Sequence, residues 1–249
     1  MPNPWDSGSA KLLASLGFEA LATTSSGFAA TLGRLDGSVT RDEVLTHASA
    51  LVEATDVPVS ADFENGFADD PQDVAANVAL AKATGLAGCS VEDFTRHADD
   101  PIYDRELAAA RVAAAIGTAH AGPVHFVITA RAENHLHGVD DLADTIARLQ
   151  AYQEAGADVL FAPGVYDLDD IRRVVTSVDR PVNVLPRLGG PTVAELASVG
   201  VARISVGGSF AFAALGAVVE AARELVDAGT YGYRDRTVVG LKAARAAFT

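Results

Sequence analysis

The chain has 249 residues, 49% hydrophobic and 21% charged, with a formal net charge of −14. This excludes a disordered chain and argues against a nucleic-acid or anionic-membrane surface, and no apolar stretch reaches the roughly 18 uncharged residues of a membrane span. The length suits one domain spanning 1–249, close to the about 250 residues of a (β/α)₈ barrel. From the N-terminus, short apolar runs occur at Pro2–Trp5, Phe18–Thr24, Pro58–Asp62, Ala87–Glu92, Val124–Ala130, Asp158–Ala162, Pro181–Leu185 and Ala202–Val206. Ala-rich or amphipathic stretches lie between them, opened by helix-start signals such as Thr40-Arg-Asp42, Asp70-Pro71, Asp104 and Asp140-Asp141. Strand followed by helix, repeated, predicts a parallel sheet, and eight such units close a TIM-type α/β barrel. The first strand is expected to be very short. After the eighth, residues 209–249 form a C-terminal helical extension, more than a barrel needs and therefore available for subunit packing.

Opening residues MPNPWDSGSA carry no basic segment followed by an apolar one, so no signal peptide is expected. A single cysteine, Cys89, excludes an internal disulfide and fits a cytoplasmic setting. On a strand whose Glu92 points into the barrel, Cys89 points outward and belongs to the core.

The C-terminal strand ends, where barrels build active sites, collect the chemistry. SADFENGF places Asp62 and Glu64 two apart, which on a strand directs both the same way. Glu92 ends the next run. Three converging carboxylates predict a hard cation, Mg²⁺ with Mn²⁺ as the substitute. Thr24, Ser25 and Ser26 before Gly27 make a turn able to bind an oxyanion, and Asp36 closes that loop. Arg131 could hold a substrate carboxylate in bidentate fashion or simply neutralise the nearby acids. Asn183 lies on the seventh strand. Such a set suits chelation of a 2-oxo acid. His125, His135 and His137 are weaker candidates without a metal-ligand pattern.

Over nearly the whole chain, PNPWDSGSAKLLASLGFEALATTSSGFAATLGRLDG, VPVSADFENGF, GCSVEDF, FVITARAE, YQEAGADVLFAPG and VNVL resemble the isocitrate lyase/phosphoenolpyruvate mutase superfamily. The resemblance implies a Mg²⁺-dependent barrel that makes or breaks a C–C or P–C bond beside a 2-oxo acid. It also implies a homodimer or homotetramer with an exchanged C-terminal helix. It assigns Asp62, Glu64 and Glu92 to the metal, Thr24–Ser26 to the substrate carboxylate and oxo group, Asp36 to the rim, and Arg131 and Asn183 to the substrate. One segment departs from it: where isocitrate-type lyases carry a Lys-Lys/Arg-Cys-Gly-His loop, this chain reads DFTRHADDPIYD. Arg96 and His97 are the candidates left there, and His97 could deliver a proton near neutrality.

The expected activity is C–C cleavage of a small 2-oxo or 2-hydroxy (di)carboxylate through an enolate, in the manner of an oxaloacetate decarboxylase. A phosphonopyruvate or phosphoenolpyruvate mutase or hydrolase and a non-catalytic 2-oxo acid binder are the alternatives. A phosphosugar enzyme using the Gly207–Ser209 turn as a phosphate cradle is a fourth reading.

Overall fold

Short buried strands bounded by capped helices carry the architecture of this computed structural model, which describes residues 1–248. Seven parallel strands pair in sequence order: β1 (Leu21–Ala22), β2 (Val59–Asp62), β3 (Gly88–Glu92), β4 (Val127–Arg131), β5 (Val159–Phe161), β6 (Val182–Val184) and β7 (Arg203–Ile204). Helix α1 (Ser7–Ser15) precedes β1, and the α-helices between the strands are α2 (Ser25–Thr31), α3 (Arg41–Glu53), α4 (Pro71–Ala83), α5 (Arg105–Ala119), α6 (Leu142–Glu154), α7 (Leu168–Thr176) and α8 (Val193–Ser198). The expected caps are present: Asp70 accepts from the Gln72 N–H, Asp104 from Glu106 and Leu107, and Asp141 from Ala143 and Asp144. Each satisfies donors that a helix start leaves open.

The eighth stave is the point of difference. Residues 1–3 form no strand, yet they bridge the gap between β1 and β7. The Met1 nitrogen donates to the Ile204 carbonyl at 2.8 Å, and Ala22 N–H donates to Pro2 O at 3.0 Å. Asn3 completes the seam, its Oδ1 accepting from Val206 and Gly207 N–H and its Nδ2 donating to Thr23 O. A segment of three residues, interrupted by Pro2, cannot sustain a ladder, so two isolated main-chain bonds and the Asn3 side chain share the joining.

Alternation along the strands divides outside from inside. Val59, Ala61, Cys89, Val91, Ile128 and Ala130 face the helices and are essentially inaccessible. Cys89 is the core residue expected, and burial pushes its thiol pKa far up, so it supplies no nucleophile. After β7 the chain continues through α9 (Ser209–Arg223), a wide helical turn (Glu224–Ala228) and α10 (Arg234–Ala247). Among the described residues, no helix is long and apolar enough to cross a membrane.

Candidate active site

Strand pairing delivers the acidic residues to one end of the barrel. Asp62 aligns with Ser90, and Glu92 aligns with Arg131. Above the last strand residues the cavity has two lobes, of about 210 Å³ and about 590 Å³. Asp62 lines the first; Glu64 and Glu92 line the second; Arg131 and Ser25 belong to both.

Arg131 is the hub. Its Nη1 lies 2.8 Å from Asp62 Oδ1, and its Nη2 lies 3.2 Å from Glu92 Oε2 and 2.8 Å from Glu133 Oε1. The guanidinium also sits over Phe161, 5.2 Å from the ring centre. Burial would lower its pKa, but Glu133, Glu92 and Asp62 together push it up, so it stays charged. Three acids cannot all be neutralised by one guanidinium. Burial accordingly raises the Glu92 carboxyl well above its ordinary range and raises Glu133 as well, with Arg131 pulling both back.

Glu64 enters differently from the pleat argument. β2 ends at Asp62, and Glu64 follows in the left-handed region at φ 49°. It reaches the cavity from a turn and not as the next same-facing strand residue. Phe67 and Arg96 also have positive φ, at 55° and 67°. Arg96 forms an ion pair with Glu64 Oε2 and lies 5.5 Å from the Phe67 ring centre. Three left-handed non-glycine residues meeting at one spot are a local strain of about 1 kcal/mol or more each, typical of binding sites.

In kind, though not in spacing, the donor set suits a hard divalent cation. Glu64 Oε1 is buried with no hydrogen-bond partner, an orphaned acceptor beside Glu92 in the same lobe. Asp62, Glu64, Glu92 and Glu133 offer only oxygen atoms, with more negative charge than Arg131 and Arg96 balance. Among the described residues, the group of three His, Cys, Asp or Glu side chains whose ligand-type atoms all lie within 4.8 Å of one another is instead His120, His125 and Asp158; Asp62, Glu64 and Glu92 are not drawn that close. The histidine pair and Asp158 lie where β4 and β5 begin, at the opposite end of the barrel, and both histidines hydrogen-bond the Asp158 carboxylate at 3.1 Å.

Of the remaining expected residues, Thr24, Ser25, Ser26 and Asn183 line the first lobe, and Asp36 stands exposed at the rim of both. The Ser25 N–H already donates to Asp62 Oδ2 at 3.1 Å, and Gly27 N–H to Thr24 Oγ1 at 3.3 Å. This turn therefore offers hydroxyls more than free amides. His97 is exposed and lines neither lobe; Phe94 and Arg96 are the residues of that loop which line the cavity. In the Gly207–Ser209 turn, the Gly207 N–H is taken by Asn3 and that of Ser209 by Val206 O, which speaks against a phosphate cradle.

Two further residues, Asp93, which the sequence places at a strand end without a role, and Arg203, which it does not single out, support this site. Asp93, raised in pKa by burial, accepts from Tyr152 Oη at 2.5 Å, Arg148 Nη1 at 3.2 Å and the Glu133 N–H at 2.7 Å. It fixes the backbone that presents Glu133. Arg203, on β7, reaches Asn183 and Thr129 inside the barrel. Its signal was a lone cation between apolar neighbours in VARISV.

Known proteins resemble this chain over most of its length. The family model described as phosphoenolpyruvate phosphomutase matches residues 1–226. An uncharacterised protein of Mycobacterium tuberculosis is 36% identical over 229 residues, covering 91% of this chain and 84% of the relative. The crystal structure of a “putative lyase/mutase” from Burkholderia cenocepacia J2315 superposes with a TM-score of 0.95 at 51% identity, covering 98% of this chain and 89% of that one. An oxaloacetate decarboxylase of Chromohalobacter salexigens is 28% identical over 235 residues, covering 90% of this chain and 79% of the relative.

Proposed function

Because the chain belongs to the isocitrate lyase/phosphoenolpyruvate mutase superfamily, we propose that it is a Mg²⁺-dependent carbon–carbon lyase. Its substrate is a small 2-oxo or 2-hydroxy (di)carboxylate, and oxaloacetate leads because a similar protein is an oxaloacetate decarboxylase. The observation that carries the reading is the uncompensated acid cluster with the orphaned Glu64 Oε1. Asp62, Glu64 and Glu92 would hold the ion, and Mn²⁺ would substitute for it. When bound, the ion supplies Lewis-acid stabilisation of the negative charge that develops on the substrate oxygen.

Arg131 orients the substrate carboxylate, exchanging one of its acid partners for it. Hydroxyls of Thr24, Ser25 and Ser26 bind the carboxylate and oxo end, Asn183 contributes an amide, and Asp36 guards the rim. Decarboxylation needs no acid at the leaving group, which suits a loop without Cys or Lys. Water can protonate the enolate, and His97 can do so once residues 94–103 fold inward.

Purified protein with Mg²⁺ should turn over oxaloacetate, or failing that methylisocitrate or isocitrate, and lose that activity with EDTA. Absence of EDTA-sensitive turnover on all of these would remove the reading. Turnover of phosphonopyruvate alone would move it to the mutase or hydrolase alternative favoured by the family match. Tight 2-oxo acid binding without product would leave a binder.

The same proposal includes a homodimer or homotetramer that exchanges C-terminal helices. Apolar side chains of α9 and α10 stand exposed, among them Phe212 at 52%, Val218 at 64% and Val239 at 70%. A monomer by light scattering would end that part. A cytoplasmic setting completes it, resting on composition and the single buried thiol.

A further inference from the structure

The floor of the smaller lobe is cationic. Arg203 starts on β7, and its Nη2 donates to Thr129 Oγ1 on β4 at 2.8 Å while Nε donates to Asn183 Oδ1 at 2.9 Å. β7 and β4 are three strands apart in the sheet, so the side chain spans the barrel interior to make both bonds. Thr129 precedes Arg131 by two residues on the same strand face, which places the Arg203 guanidinium one layer beneath Arg131. Both arginines line one cavity, together with Asp62 and Ser25.

The two are charged in opposite surroundings. Arg131 is held by three carboxylates. Arg203 has no ion pair among the described residues; its two recorded partners are a neutral amide and a hydroxyl. Burial alone pulls its pKa down, to about 10, with no acid opposing it. A guanidinium has five donors, and a partly buried one without a counter-ion is costly unless a ligand completes it. Asn183, itself donating to Ser205 Oγ at 2.9 Å, helps fix the fork, and Arg203 lines the cavity.

We infer that Arg203 is a specificity-determining residue that binds a second anionic group of the substrate, at the floor of the barrel beneath the site of the 2-oxo acid. The inference rests on the proposed 2-oxo acid site and adds to it a discrimination: 2-oxo dicarboxylates over 2-oxo monocarboxylates of equal length. Pairing Arg203 with a carboxylate satisfies both buried charges, whereas an alkyl end leaves the guanidinium uncompensated.

Calorimetric titration with Mg²⁺ tests this with two five-carbon probes, 2-oxoglutarate and 2-oxovalerate. Wild type is expected to prefer the dicarboxylate by about 10-fold or more, the size of a charge-assisted hydrogen bond. Arg203→Gln should abolish that preference and change 2-oxovalerate binding by less than about threefold. Equal weakening of both ligands, or no preference in wild type, overturns the inference and leaves Arg203 a structural strut. If Arg203→Gln does not fold, Arg203→Lys decides: a preference retained in part supports the inference, and equal loss of both ligands overturns it. Because the readout is binding, it separates from the lyase reading. A preference that depends on Arg203 stands even where no C–C bond is cleaved, and turnover without that preference sinks the inference alone.

Discussion

The β2–β4 arc and the β5–β7 arc of this barrel present opposite electrostatics to one cavity. The first ends in Asp62, Glu64, Glu92, Arg131 and Glu133, so closely set that burial raises Glu92 and Glu133 in pKa despite the shared guanidinium. The second ends in Phe161, Val184 and Ile204, with Asn183 one residue before the end of β6, and carries Arg203, which has no ion pair among the described residues. An excess of negative charge on one arc and an unpaired positive charge on the other are each unfavourable alone. On the proposed function, a cation chelated by a carboxylate substrate would satisfy both.

Breaking the acidic arc should have the largest effect. Glu92→Gln keeps the shape and removes the charge, so Mg²⁺-dependent turnover should fall by about 10³-fold. Its melting temperature should hold or rise, since a buried acid with a raised pKa is destabilising when ionised. A fall in stability with activity intact would reverse the account of this arc.

Removing the hub comes next. Arg131→Met strands Asp62, Glu92 and Glu133 without their counter-charge and should cost about 3–5 kcal/mol in urea unfolding without metal. Added Mg²⁺ should recover part of this loss; no recovery would argue against a cation among these acids.

A smaller effect is expected one layer back. Tyr152→Phe deletes the hydrogen bond to Asp93 and should cost about 2 kcal/mol, more than an exposed tyrosine would. Because Asp93 holds the Glu133 N–H, turnover should decline too, by less than for Glu92→Gln.

His47, on α3 outside both arcs, gives the smallest and serves as a control. It stacks on Phe28 with ring centres 3.9 Å apart, and burial lowers its pKa to about 4. The unfolded chain takes up this proton below its ordinary value of about 6.5, while the folded chain resists it. Its contribution is therefore intact above pH 6.5 and lost as pH falls towards 4. Urea titrations at pH 7 and pH 5 should show His47→Leu losing less stability than wild type over that interval, by on the order of 1 kcal/mol. Ligand binding should be unaltered.

Much of the site was legible because a strand that runs out into a polar residue is a local pattern. Asp62, Glu92 and Asn183 end or lie in an apolar run and Arg131 follows one, and pairing brings them to one cavity. Glu64 was found by the same rule for a different reason, since it reaches the cavity through a left-handed turn that alternation does not describe. His97 was chosen for its titration range, but the direction of a loop side chain depends on the loop's path, and Arg96 arrives in its place.

Sequence alone determined the strand–helix rhythm, the outward placement of Cys89 and the kinds of charge at the strand ends, because these follow from neighbours a few residues apart. Only the tertiary structure decided that one guanidinium is shared by three acids, that Asn3 joins β1 to β7, and that Arg203 crosses the interior to Thr129. Those contacts join residues up to 204 positions apart, and they exist only once the sheet has curled and its first segment meets its last.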